Sequence, residues 1–200
     1  MCCGRTWGCW CNIAAGTINI GTKANGYSLK TTNANNTANT TVVPVNASAY
    51  YLSNKLKTDL AGTGIAVEGK TRALLGPIKS GTSGVISFKL EGKNSELIAI
   101  SATVDSSDIS SLAKAINQYT SQTGLKALNS SDFEQIIIES EEGYDIGITE
   151  ISAPSDFDIY SLGEDFNKLS SALSIDISST DKISAHIKGN LRFTSSISFN

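Results

Sequence analysis

The hydrophobic residues between positions 104 and 151 change their spacing midway, from that of a helix to that of strands. Apolar side chains first recur three and four residues apart, at Ile109, Leu112, Ala113 and Ile116. This spacing places them on one face and predicts a short amphipathic helix. Ser106 or Ser107 is predicted to cap its first turn, where Asp108 adds a favourable negative charge.

Strands are predicted after this helix, beyond Gly124, a residue that suits a helix exit. They cover residues 125–128, 135–139 and 144–148. Glu141, Glu142 and Gly143 lie between the last two and predict a turn, so these two strands are expected to form a hairpin. Since a helix this short is not stable alone, it is expected to pack on the sheet.

The same order of elements is predicted sixty residues earlier. A helix over residues 47–60 carries its apolar side chains at Ala49, Leu52, Leu56 and Leu60. A shift of sixty positions places Thr63-Gly64-Ile65 on Thr123-Gly124-Leu125, and Leu56 on Ile116. This match of helix, exit and strand indicates an internal repeat, in which Lys57 occupies the position of Asn117.

The other segments before residue 105 predict strands and one loop. Residues 17–20 and 27–30 alternate around a turn signal at Asn25-Gly26, and residues 41–45 predict an edge strand. The Thr- and Asn-rich residues 31–40 predict a solvated loop. Two further strands, joined by a turn at Gly92-Lys93-Asn94, are predicted over residues 85–90 and 97–104.

Beyond Pro154 the pattern predicts one more helix and a strand-rich end. Ser161 is its predicted N-cap, and its apolar stripe consists of Leu162, Phe166, Leu169 and Leu173. Strands are predicted to follow over residues 175–177, 183–187 and 191–199.

Together these elements predict an α+β fold of tandem small modules, each a short helix packed on a mostly antiparallel β-sheet. A first, degenerate module is predicted at residues 17–79, a second at 80–153, and a third, diverged or truncated, at 154–200. Residues 1–16 are interpreted as an atypical leader outside the fold. All four cysteines, both tryptophans and the only methionine lie within positions 1–11. These cysteines are too crowded for zinc-site spacing, and no apolar stretch of signal-peptide length follows them.

Composition excludes some partners. The chain has 16 Lys and Arg residues and 19 Asp and Glu residues, which gives a net charge of −3. Its basic residues form no stripe along the sequence, and this argues against nucleic acid as a partner. No apolar run approaches the roughly 20 residues of a membrane-spanning helix.

No combination of side chains predicts catalysis, a bound metal or a cofactor. His186, the only histidine, is predicted on the solvent face of a strand, without the oriented base that a Ser-His-Asp arrangement needs. Asp156 and Asp158 lack the other ligands of a calcium loop and are interpreted as a solvated pair on an edge strand. Three more carboxylates are interpreted as solvating a turn rather than hydrolysing a glycoside, at Glu139, Glu141 and Glu142. The chain is therefore expected not to be an enzyme.

One part of the chain resembles a known family. The run Leu112-Ala-Lys-Ala-Ile116-Asn117, then Thr123-Gly124-Leu125 and Gly143-Tyr144-Asp145-Ile146, is similar to the flagellin hook IN motif, with Ile116 and Asn117 as its Ile-Asn centre. The motif occurs in the outer variable regions of bacterial flagellins and in hook-associated and filament-capping proteins. The residues expected to carry it structurally are Leu112, Ile116, Asn117, Gly124, Gly143, Asp145 and Ile146.

The resemblance implies a secreted structural component of the flagellar filament: the hypervariable outer region of a flagellin, in an extracellular motility organelle. Its partners would be other flagellin subunits, through regions absent from this chain, with no cofactor. Because neither end shows long heptad-bearing helices, the chain is expected not to polymerise alone. One alternative is a hook-associated or capping protein. Another is a repeat adhesin that binds a surface glycan or host receptor, through loops such as residues 31–40.

Asn117 also has a purely structural interpretation. Near a helix end, its amide is expected to bond exposed carbonyls or the following turn. Asn117→Leu should then loosen the turn at residues 120–124 without affecting any activity.

Overall fold

The computed structural model describes residues 11–13, 16–23, 26–32, 38–44, 46–169, 171–179 and 184–195. The chain divides into two compact units: residues 1–68 with 191–200 form unit 1, and residues 69–190 form unit 2. Short helices and antiparallel strands make up both, so the predicted α+β class is confirmed. The module boundaries predicted after residues 16, 79 and 153 stay predictions.

Unit 1 opens with a four-stranded antiparallel sheet in chain order. Its strands are β1 (Cys11–Ile13), β2 (Gly16–Lys23), β3 (Gly26–Thr32) and β4 (Ala38–Val43). The predicted pairing of residues 17–20 with 27–30 is confirmed by the register, which sets Ile20 opposite Leu29. The predicted loop at residues 31–40 is wrong at both ends, because Thr31 pairs with Asn39 and extends the ladder. Residues 33–37 of that loop lie outside the described part of the chain.

Helix α1 (Ala49–Asp59) and the start of strand β5 (Ile65–Ile78) form the small core of unit 1. Ser48 caps the helix, since its Oγ accepts the Tyr51 N–H at 3.2 Å. One face of the helix packs with apolar residues of the neighbouring strands, and this core consists of Val43, Leu56, Leu60, Ile65 and Val67.

Unit 2 contains two antiparallel sheets. Its elements after β5 are β6 (Ser83–Glu91), β7 (Ile98–Asp105), α2 (Ser110–Asn117), α3 (Thr120–Thr123), β8 (Lys126–Asn129), β9 (Ile136–Ser140), β10 (Ile146–Ser152), β11 (Phe157–Ser161), β12 (Leu173–Ile175) and β13 (Ser184–Ile187), and β14 (Asn190–Ser195) follows them. One sheet has the order β13-β10-β6-β7 and the other β12-β11-β5-β9-β8. Strand β14, which apart from Asn190 belongs to unit 1, pairs with β5. Side chains of both sheets and of α2 form one continuous apolar core. The predicted pairing of β6 with β7 is confirmed.

Helix α2 packs against β7 and β8, which are the outer strands of the two sheets. Its predicted stripe is confirmed, because Leu112, Ala113 and Ile116 are all buried in the core. The predicted cap is wrong: the helix begins at Ser110, and Asp108, not Ser106 or Ser107, supports its start by accepting the Ser110 N–H at 2.8 Å. The helix therefore closes the gap between the sheets at one side of the unit.

The predicted hairpin of residues 135–139 and 144–148 is wrong. Strand β9 pairs with β5 and β8, whereas β10 pairs with β6 and β13 in the other sheet. The turn between them carries the chain from one sheet to the other: Ser140 Oγ accepts the Tyr144 N–H, and Gly143 adopts φ +84°. Strand alternation shows which face is buried but not which strand is the neighbour.

The helix predicted at residues 162–173 is also wrong. Residues 161–169 instead fold into a tight loop, in which Leu162 pairs with Lys168 and the Gly163 N–H bonds the Asn167 carbonyl at 2.8 Å. Arg72 Nη1 donates to the carbonyls of Gly163 and Glu164, which a helix would use internally. Of the strands predicted after it, β12, β13 and β14 occur with shifted ends, and residues 183 and 196–199 lie outside the described residues.

Arg72 anchors this loop through a buried ion pair. Its Nε donates to Glu139 Oε2 at 3.2 Å, and both side chains are less than a tenth exposed. The guanidinium also lies 4.5 Å from the centroid of the Phe166 ring, a cation–π contact. Two residues away on the same strand, Lys70 pairs with Glu141 in a more exposed position.

Arg72→Met should destabilise unit 2 by about 3–5 kcal/mol, because it leaves the Glu139 carboxylate buried without its partner. Lys70→Met is the matched control on the same strand and should cost less than about 1 kcal/mol, since its pair is solvated. Urea unfolding followed by circular dichroism measures both. Equal losses for the two variants would contradict the role assigned to the buried pair.

Candidate functional site

The predicted motif centre lies where helix α2 ends and the chain returns to strand β8. We call residues 116–127 the joint. Ile116 is fully buried in the core, and Asn117, the last helical residue, lies at the surface. Asn117 Nδ2 donates to the Ala127 carbonyl at 2.9 Å, and Asn117 Oδ1 accepts the Ala127 N–H at 2.8 Å. The amide was expected to bond exposed carbonyls or the following turn, and it bonds the carbonyl and the N–H of one strand residue beyond that turn.

The exit turn of the joint depends on Thr123 and Gly124. Gly124 adopts φ +68°, a left-handed conformation that favours glycine, and donates its N–H to the Thr120 carbonyl at 2.8 Å. The buried Thr123 hydroxyl donates to the Tyr119 carbonyl and accepts the Leu125 N–H at 3.2 Å. These bonds satisfy backbone groups that the helix end leaves open.

The tip of the β6–β7 hairpin docks on this turn. A Cβ added at Gly92 would lie 2.2 Å from the Thr123 carbonyl oxygen, so only glycine fits there. The next residue, Lys93, donates its N–H to the same oxygen at 2.8 Å. The sequence showed Gly92 only as a turn residue, because its close approach to the joint depends on tertiary packing.

The second half of the predicted motif sits on the sheet-to-sheet turn. Ile146 is fully buried at the start of β10, and Asp145 forms an ion pair with Lys188. The Tyr144 ring approaches Gly124, where an added Cβ would lie 3.4 Å from Cδ2. The structure therefore brings Ile116, Asn117 and Gly124 together in the joint. Leu112 lies in the helix stripe, Gly143 and Asp145 lie in the neighbouring turn, and Ile146 begins β10.

Unit 1 contains a joint of the same design. Gly64 adopts φ +76°, and the buried Thr63 hydroxyl donates to the Leu60 carbonyl at 2.6 Å and accepts the Ile65 N–H at 3.3 Å. The bond from the N–H two residues later matches that of Thr123, but the Thr123 hydroxyl donates four residues back and the Thr63 hydroxyl three. Lys57 occupies the position of Asn117, but its side chain has no acceptor atom for a strand N–H. This joint therefore lacks the pair of side-chain hydrogen bonds that Asn117 makes to a strand residue.

Two carboxylates, those of Asp105 and Asp108, lie in the segment just before helix α2. The hydroxyl of Ser107 and, to a smaller extent, its backbone N–H donate to Asp105 and lower its pKa. The same two groups of Ser110 lower the pKa of Asp108. Both groups are therefore held in the charged form that accepts these bonds.

The acidic candidates have structural partners. Asp158 accepts the Ser174 hydroxyl at 2.8 Å and the Tyr160 hydroxyl, and Asp156 accepts the Ile177 N–H. Their predicted place on an edge strand is wrong, because Asp158 lies on β11, an inner strand, whereas Asp156 is exposed, as expected of a solvated residue. The interpretation of Glu139 as a turn-solvating residue is also wrong, since Glu139 forms the buried ion pair.

His186 lies exposed on β13, as predicted. Within the described residues, no group of three or more His, Cys, Asp or Glu side chains is arranged to hold a metal ion. A search of the same part of the chain finds no helix with the length and apolar character needed to cross a membrane. The side chains of Asn117 and Thr123 in the joint are neutral, and their hydrogen-bond partners are backbone groups.

Residues 86–142 match the family model of the flagellin hook IN motif. The matched segment begins in β6, includes α2 and the whole joint, and ends just before Gly143. This match confirms the resemblance and supports a flagellin-related structural role. No curated protein matches the chain at a significant level.

Gly92→Ala should destabilise unit 2 by about 1–3 kcal/mol, because its methyl group forces the hairpin tip away from the Thr123 carbonyl. Lys93→Ala keeps the backbone N–H that bonds this carbonyl and should change stability by less than about 0.5 kcal/mol. Thermal unfolding of both variants measures the difference. A neutral Gly92→Ala would show that the hairpin does not depend on this close approach.

Proposed function

We propose that this chain is the outer, variable region of a flagellin, displayed outside the cell on a bacterial flagellar filament. The observation that carries the proposal is the coincidence of the matched motif with the joint. The matched segment contains the joint in full, and the side chains of its Ile-Asn centre serve packing and backbone bonding.

The geometry favours a structural rather than a catalytic role. The motif residues are used for burial, for a left-handed turn and for bonds to backbone groups, and the joint leaves no polar cluster aimed at a substrate. In the described part of the chain, the longest helix is the 11-residue α1. Long heptad packing of the kind that builds filaments needs several successive turns on each helix. Contacts between subunits would then be made by other regions of a flagellin.

Immunogold labelling of intact cells with antibodies against the purified chain tests the location. We expect label along the whole filament, and pre-absorption of the antibodies with the chain should abolish it. Label confined to the hook junction or the filament tip would instead indicate a hook-associated or capping protein. Label on the cell body of a strain without flagella would indicate an adhesin.

The purified chain should remain unassembled in conditions under which an intact flagellin polymerises. The reason is that the described helices are too short for heptad packing. Negative-stain electron microscopy, with an intact flagellin as the positive control, checks this. Regular filaments formed by the chain alone would refute the assignment of assembly to other regions.

A further inference from the structure

Among the strands that the structure describes, β8 is the last of its sheet and pairs only with β9. An outer strand leaves alternate N–H and C=O groups facing away from its neighbour, and these groups can pair with a strand of another molecule. In β8, Ala127 sits opposite Ile138 of β9. Since both backbone groups of Ala127 bond the Asn117 amide, they face away from β9, toward the side where a further strand would add.

The Asn117 side chain occupies the place of that further strand. The Asn side chain carries an NH₂ donor and a C=O acceptor. A strand residue likewise presents one N–H donor and one C=O acceptor. The two hydrogen bonds between Asn117 and Ala127, at 2.9 and 2.8 Å, reproduce the pair of N–H···O bonds that two residues exchange in an antiparallel sheet. Thr123 extends the effect, because its hydroxyl accepts the N–H of Leu125, two residues before Ala127.

The same helix also covers the other sheet. Strand β7 is the last strand of the order β13-β10-β6-β7, and α2 packs against it. Ser111, in the first turn of α2, donates its hydroxyl to the carbonyl of Thr103 in β7. One helix thus places a polar side chain on an outer strand of each sheet.

We propose that Asn117 is an edge cap: its amide closes the outer side of β8 and prevents β8 from pairing with β8 of a second copy of the chain. The Ile-Asn pair then divides two tasks between neighbouring residues. Ile116 fixes the helix in the core, and Asn117 uses that fixed position to cap the strand.

Hydrogen exchange of the unmodified full chain gives the first test. The Ala127 amide should exchange as slowly as the amides of the inner strand β9, although β8 is an outer strand. Exchange of Ala127 at the rate of an open edge amide would overturn the proposal without any substitution.

Asn117→Ala gives the second test, because it removes both bonds and leaves Ile116 in place. We expect exchange at Ala127 to accelerate at least tenfold while amides of β6 and β10 keep their rates. We also expect self-association that increases with concentration in sedimentation velocity. Asn117→Asp keeps the acceptor but sets a carboxylate against the Ala127 carbonyl, and should give the same local opening.

Lys57→Ala is the matched control, since Lys57 is exposed at the corresponding helix end of unit 1. It should leave both measurements unchanged. A uniform rise of all exchange rates in Asn117→Ala would show a general stabilising role instead of a cap. If a variant exchanges rapidly at Ala127 yet stays monomeric at every concentration, the proposal that Asn117 prevents pairing with a second copy is wrong.

Discussion

Unit 2 depends on one constraint: the two sheets share a core, and the gap between their outer strands must be filled without leaving backbone groups unsatisfied. Helix α2 meets both requirements. Its apolar stripe completes the core between β7 and β8, and its polar side chains reach the exposed backbone of those strands. A purely apolar helix would fill the gap but leave the Ala127 groups open, and a purely polar helix would not be held there.

The repeated joint shows which parts of this solution are separable. The sequence Thr-Gly followed by an apolar residue gives the same bond, from the N–H of the apolar residue to the Thr hydroxyl, at residues 63–65 and 123–125, with a left-handed glycine in each. The turn therefore works with or without an asparagine at the preceding helix end. Asn117 adds two hydrogen bonds to strand β8, which the turn itself does not need. The copy in unit 1 has Lys57 at this position and cannot form the same pair of bonds.

The stripe of α2 and the strands before it could be predicted because each depends on a single periodicity that burial imposes on the chain. Pairing could not be predicted, and this is why the hairpin of residues 135–148 failed: β9 and β10 are both buried, but in different sheets. The helix at residues 162–173 failed because Arg72 binds carbonyls more than ninety positions along the chain. Of the site, the sequence indicated Ile116, Asn117 and Gly124, whereas the close approach of Gly92 required the tertiary structure, as did the Arg72–Glu139 pair elsewhere in the unit.

The side chains that bond helix α2 and its exit turn to neighbouring backbone groups carry no charge. Asn117, Thr123 and Ser111 do not titrate in ordinary water, and their bonds join neutral partners, so neither acidity nor dissolved ions weaken them as they weaken surface ion pairs. Fluids outside a cell vary from fresh water to brine and from acid to alkaline. The bonds made by Asn117, Thr123 and Ser111 would keep the same geometry in all of them, so the exposed charged residues around them can change without affecting these bonds.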